Sequence, residues 1–134
     1  MRRVYLDACV IIYLMEESAP YSAKTRRFLE LNRDAILCVS PLVRLEVVVK
    51  PLRDLNMQLF SDYEEFLAAQ NWLSINDEVI DRAMQLRARH GLKTPDAMHL
   101  ATALHYGCAE FWTNDGRLAD AAGQIAVNVL ADAS

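Results

Sequence analysis

The chain has 134 residues, 53% of them apolar and 24% charged, and carries a net charge of −4. That size accommodates one domain with a sizeable core, and the balance is that of a soluble globular protein. No apolar run nears the roughly 20 residues that span a bilayer, and Met1-Arg2-Arg3-Val4 lacks the apolar region of a signal peptide, so no membrane association and a cytoplasmic location are expected.

Short apolar runs alternate with helical patterns along the chain. Arg3 to Leu6 reads as a strand, followed by a short helix to about Glu16. Ser18-Ala19-Pro20 breaks the pattern, and Ser22 to Asn32 reads as a second helix. Ile36 to Val39 is a second strand; Ser40 then caps a helix with Pro41 at its first position, which is expected to stop near Lys50-Pro51. Leu52 to Gln70 reads as a fourth helix, with Leu55, Leu59, Phe60, Tyr63, Phe66 and Leu67 as its apolar positions. A short strand is expected from Trp72 to Ile75, then a helix capped by Asn76 and stopped by Gly91. Thr94 is expected to cap the next helix, with Pro95 starting it and Gly107 ending it. Glu110 to Thr113 is a strand, Arg117 to Ala122 a short helix and Ile125 to Leu130 a last strand. Strands alternating with helices predict a single α/β domain over residues 1–134, with a mostly parallel sheet between helices.

Four carboxylates stand out against this background. Asp7 closes the apolar run Val4-Tyr5-Leu6 and opens another from Val10 to Leu14. Glu46 is the single acid in Leu42-Val43-Arg44-Leu45-Glu46-Val47-Val48-Val49. Asp96 follows Thr94-Pro95 at the head of an alanine-rich helix, and Asp115 ends Phe111-Trp112-Thr113-Asn114-Asp115. A buried charge costs several kcal/mol, on the order of one strong interaction, unless a partner compensates it. Ligands of open parallel sheets sit beyond the carboxyl ends of the strands, where Asp7 and Asp115 fall. A divalent cation of the Mg²⁺ or Mn²⁺ kind, which prefers oxygen ligands, would answer all four. The 18 acidic residues less these four leave 14, matching the 14 basic ones, so the negative charge does not exclude a nucleic-acid substrate. Three of the acids also have a plainer explanation: Asp96 complements a helix dipole, Glu46 pairs with Lys50 at i, i+4, and Asp115 belongs to a turn, whereas Asp7 is the hardest to dismiss because apolar runs flank it on both sides.

The run Val-Tyr-Leu-Asp7-Ala-Cys-Val-Ile-Ile-Tyr-Leu, then Ser40-Pro-Leu-Val-Arg-Leu-Glu46, Thr94-Pro-Asp96-Ala-Met-His-Leu-Ala-Thr-Ala-Leu and Trp112-Thr113-Asn114-Asp115 resembles a PIN domain, in particular the VapC-type toxins of bacterial toxin–antitoxin pairs. The resemblance covers almost the whole chain. It implies a Rossmann-like α/β/α sandwich and a metal-dependent endoribonuclease, with Asp7, Glu46, Asp96 and Asp115 as catalytic and metal-binding residues and Mg²⁺ or Mn²⁺ as cofactor. It also implies an RNA substrate, an antitoxin partner and a homodimer. Thr113 matches the family's small hydroxyl residue before the last acid. Cys9 departs from it, standing where Asn, Ser or Thr is more frequent, and a thiol is a weak hydrogen-bonding group.

Arg44, Lys93 and Arg117 lie near the acids in sequence and are candidate RNA contacts through phosphate. His99 shares a helical stripe with Asp96, Ala103 and Tyr106, but is expected to be a satisfied histidine at a packing edge. Cys9, Cys38 and Cys108 lack metal-type spacing and read as buried free thiols. Two other functions fit parts of the pattern. An aspartyl-nucleophile phosphohydrolase would use Asp7, but usually needs an acid two residues on, where Cys9 stands. A non-catalytic binding module is the other, either a PIN-like domain that has lost activity or a receiver-like one, which would want a phosphoacceptor that Ile36 to Ser40 does not supply.

Overall fold

A computed structural model describes residues 2–17 and 21–130; the expected break at Ser18-Ala19-Pro20 lies outside them. Five strands form one all-parallel sheet: β1 (Arg2–Leu6), β2 (Ala35–Val39), β3 (Asn71–Trp72), β4 (Glu110–Thr113) and β5 (Ala126–Asn128), in the order β3-β2-β1-β4-β5. Seven helices connect them: α1 (Ala8–Met15), α2 (Ser22–Leu31), α3 (Pro41–Arg53), α4 (Met57–Ala68), α5 (Asp77–His90), α6 (Thr94–His105) and α7 (Gly116–Ala122). Parallel strands need such crossovers, because a tight hairpin can only reverse direction.

Val4, Tyr5 and Leu6 are consecutive and fully buried. Successive side chains of a strand point to opposite faces, so both faces of the sheet are covered at β1. Helix α6 is nearly internal: Ala97, His99, Leu100, Ala101, Thr102 and Ala103 are all buried. Its small residues let it press close to its neighbours, among them α5, α3 and β4.

The topology positions the site. From β1 the chain crosses to β2 on one side, whereas β4 returns on the other side of β1. The connections leaving β1 and β4 therefore diverge, and a crevice opens at the carboxyl ends of these two strands. Asp7 follows β1 immediately, and Asn114-Asp115 follows β4.

Several boundaries differ from the sequence expectation. Helix α3 runs through Pro51 to Arg53, because a proline in the last turn removes only one hydrogen bond. Asp54 N–H then closes on the Lys50 carbonyl at 2.9 Å and Asn56 N–H on Pro51 at 2.9 Å. Helix α4 starts at Met57, after a turn in which Leu55 takes φ 54° and Asn56 caps. Lys93, not Thr94, is the N-cap of α6, which puts Asp96 third in the helix. Strand β3 is two residues, and Gly123–Ile125 form a 3₁₀ turn that delays β5 to Ala126.

Candidate active site

Asp7 directly follows β1 and is the N-cap of α1. Its backbone N–H donates to the Trp112 carbonyl at 3.0 Å, which ties it to β4. Its Oδ1 accepts from the Ala8 N–H at 2.8 Å, and its Oδ2 from the Thr113 hydroxyl at 2.7 Å. Cys9 Sγ reaches the same Oδ2 at 3.7 Å, so the thiol makes the weak contact its chemistry allows. Burial, then the charge of Asp7, pushes the Cys9 thiol up to about 12.

Thr113 is fully buried and links two of the acids. While donating to Asp7, its hydroxyl oxygen accepts the Asp115 N–H at 3.0 Å. Asp115 in turn caps α7 through a single oxygen, Oδ1, which accepts from the Arg117 N–H at 2.9 Å and the Leu118 N–H at 3.1 Å. The turn-and-cap explanation of Asp115 therefore holds for that oxygen and leaves Oδ2 unengaged among the described residues.

Glu46 sits in the second turn of α3 with its side chain 32% exposed. It does not pair with Lys50. Its Oε1 instead meets Nε2 of His99, which is fully buried. His99 Nδ1 lies 2.6 Å from the Tyr5 hydroxyl, and that hydroxyl lies 2.8 Å from Ser40 Oγ. Both Tyr5 and Ser40 are fully buried, and burial pushes the Tyr5 phenol well above its ordinary range.

Asp96 takes no hydrogen bond among the described residues. Its carboxyl is raised above the ordinary value, first by burial, then by the charges of Asp115 and Asp7; Glu46 adds to this, and His99 opposes it. The four acids thus lie within one electrostatic neighbourhood. Lys93 and Arg117 join Asp96, Asp115 and Leu92 around a cleft of about 80 Å³. Arg44 lies elsewhere, forked onto Glu64 with Nε–Oε1 2.7 Å and Nη2–Oε2 3.1 Å. A larger concavity, about 580 Å³, runs along Ala35–Leu37 and 69–71 and holds none of the four acids. Charge, not volume, marks the site.

The PIN-domain family profile matches residues 4–124, which include all four acids and Thr113. The chain belongs to the PIN-domain family. It is 32% identical over 133 residues to Ribonuclease VapC46 of Mycobacterium tuberculosis, covering 98% of each chain. Among solved structures it is similar to a toxin–antitoxin complex from Klebsiella pneumoniae, at 24% identity and a TM-score of 0.76 over 94% of this chain and 97% of that one. VapBC2 from Rickettsia felis, bound to a promoter DNA fragment, matches with a TM-score of 0.78 at 15% identity, over 94% and 98%. VapC20 of M. tuberculosis matches with a TM-score of 0.76 at 15% identity, over 88% and 94%. These last likenesses are likenesses of fold.

The donors of this PIN domain fit a hard divalent cation. They are carboxylate oxygens, and one of them, on Asp96, is half-buried, held near like charges and without a hydrogen-bond partner. No three His, Cys, Asp or Glu side chains among the described residues stand close enough together to surround an ion. A cation here would therefore keep part of its coordination shell for water or phosphate oxygens, as Mg²⁺ characteristically does.

His99, Tyr5 and Ser40 were not distinguishable as site residues from sequence. The helical stripe places His99 beside Asp96, but its partner Glu46 lies 53 residues away on α3. Tyr5, in an apolar strand, carries no sequence signal of a polar role.

Proposed function

We propose that this PIN domain is a VapC-type endoribonuclease, the toxin of a type II toxin–antitoxin pair, which hydrolyses RNA phosphodiester bonds with Mg²⁺ or Mn²⁺ bound among Asp7, Glu46, Asp96 and Asp115, part of the ion's shell being left to water and phosphate oxygens. The observation that carries the reading is Asp96, an unsatisfied carboxylate raised by burial and by Asp115 and Asp7 at the sheet's topological switch. The 32% identity to a protein named as a ribonuclease supports the activity, and the fold shared with VapBC complexes supports an antitoxin as partner.

When bound, the cation would supply Lewis-acid activation of water and charge neutralisation at the phosphodiester. The chain's own residues prepare that chemistry. Thr113 holds Asp7 and Asp115 in fixed relation through one hydroxyl. The free oxygen of Asp115 and both oxygens of Asp96 face no protein donor, so they remain available to the ion. Lys93 and Arg117, on the rim of the cleft, would hold phosphates of the RNA strand by charge. Arg44 would join them only by releasing Glu64.

Leu45, Val49 and Leu52 on α3, Leu55 in the turn after it and Met57 at the start of α4 are exposed apolar residues. Such residues suit the apolar face of an antitoxin helix. A homodimer in the cytoplasm is the expected working form. No helix among the described residues is long and apolar enough to cross a membrane.

Purified protein free of any antitoxin is expected to cleave RNA with Mg²⁺ or Mn²⁺ and to stop when the metal is chelated. Asp7→Asn and Asp96→Asn should each lower kcat by at least about 100-fold, the upper end of what even outer hydrogen-bond partners of metal sites cost. Cleavage that neither substitution reduces would remove these residues from the reaction.

A further inference from the structure

We propose that His99 is a positioning residue for Glu46, oriented by a buried hydrogen-bond chain that begins at the head of α3 and crosses β1. The proposal rests on the metal-nuclease reading above and adds a residue that the acidic quartet does not contain.

The series can be followed bond by bond. A carboxylate only accepts, so the His99 nitrogen facing Glu46, Nε2, carries a proton. The other ring nitrogen, Nδ1, lies 2.6 Å from the Tyr5 hydroxyl, which lies 2.8 Å from Ser40 Oγ. Ser40 Oγ accepts the Val43 N–H at 3.4 Å, the bond that caps α3. The series Val43 N–H, Ser40, Tyr5, His99, Glu46 therefore begins and ends on the same helix.

Its burial makes it rigid. Ser40, Tyr5 and His99 are all fully buried, and Tyr5 is stacked on Phe111 at 5.3 Å between ring centroids. A buried polar series with every member satisfied specifies one arrangement. The Glu46 side chain by contrast is about a third exposed. Without His99 its side chain, with three rotatable bonds, would be free to swing into solvent. The histidine pins Oε1, and no donor among the described residues engages Oε2.

A purely structural histidine would stabilise α6 without acting through Glu46, and a double-substitution cycle separates the two. Mn²⁺ affinity, followed by titration with the metal alone, and the kcat and KM for RNA are measured for wild type, His99→Ala, Glu46→Gln and the pair. His99→Ala is expected to weaken Mn²⁺ binding and lower kcat by about 10- to 100-fold with little change in KM. In the Glu46→Gln background the same substitution should change either quantity less than about twofold. His99→Gln, whose amide can still donate to Glu46, should recover most of the loss. Tyr5→Phe, which removes that hydroxyl's hydrogen bonds to both His99 and Ser40, should cost about 2- to 10-fold.

If His99→Ala folds poorly, His99→Gln and Tyr5→Phe carry the test. His99→Ala equal to wild type, or a loss that persists undiminished in Glu46→Gln, overturns the positioning role while leaving the nuclease intact. Wild type that neither binds Mn²⁺ nor cleaves RNA with it overturns the nuclease reading, and the role of His99 with it.

Discussion

At the residue scale, the site depends on atoms that do two things at once. The Thr113 hydroxyl accepts from the Asp115 backbone while donating to Asp7. Thr113→Val keeps the volume and loses both bonds, so kcat should fall about 10- to 100-fold, while Thr113→Ser should stay within a few-fold of wild type in the same cleavage assay. Asp96 makes a prediction about stability. Its raised carboxyl favours the fold while protonated, so that contribution is present below the ordinary carboxylate range and is lost as pH rises through the raised value. Metal-free Asp96→Asn should therefore melt above wild type at pH 7, with the gap closing at a pH below about 4. Saturating Mn²⁺ should reverse the order at pH 7, because only wild type can use the ion fully. Thermal melts at the two pH values check both signs. Asp7 and Asp115 stand out in the sequence as candidates because they follow strand ends, where local pattern and position coincide, whereas Thr113 is marked only by the family resemblance. His99 does not stand out, since nothing local distinguishes a buried histidine that packs from one that holds a carboxylate across the domain.

At the element scale, strong caps made α3 and α5 legible. Ser40, Asn76 and Gly91 act as expected, with Asn76 accepting from the Val79 N–H at 3.0 Å and Gly91 in the left-handed region at φ 65°. The errors fall where weak local signals compete with packing. Proline near a helix end reads as a stop, yet α3 continues past it to Arg53. The long apolar pattern from Leu52 to Gln70 conceals the turn at Leu55 and Asn56, because no glycine marks the positive φ. Within α4, Tyr63 and Leu67 are buried and Tyr63 donates to Glu16 Oε2 at 2.5 Å, so this part of the pattern serves the domain's own packing. Leu55 is different: it is 80% exposed and holds a conformation that costs a side-chain-bearing residue about 1–2 kcal/mol. Leu55→Gly should raise the stability of the isolated protein by up to about 1 kcal/mol, the relief being partly offset by the freer unfolded chain. Denaturant unfolding would detect this as a higher midpoint with an unchanged slope.

At the scale of the whole molecule, the alternation of strands and helices made the parallel sheet legible, but not its strand order. That order assembles the candidate site. Placing β1 between β2 and β4 brings Asp7 to Asp115, and packing α3 and α6 together brings Glu46 to His99 beside Asp96. Spatial convergence of four acids drawn from distant segments is a property of topology, and a linear pattern can only suggest it through family resemblance. On the proposed reading these four acids form one cation site. Calorimetric titration of Mn²⁺ into the partner-free protein, and into its Asp7→Asn, Glu46→Gln, Asp96→Asn and Asp115→Asn variants, tests it most directly. Saturable binding in wild type, weakened at least about tenfold by each substitution, is the predicted result. Absence of binding, or binding that all four variants retain at wild-type strength, would contradict it.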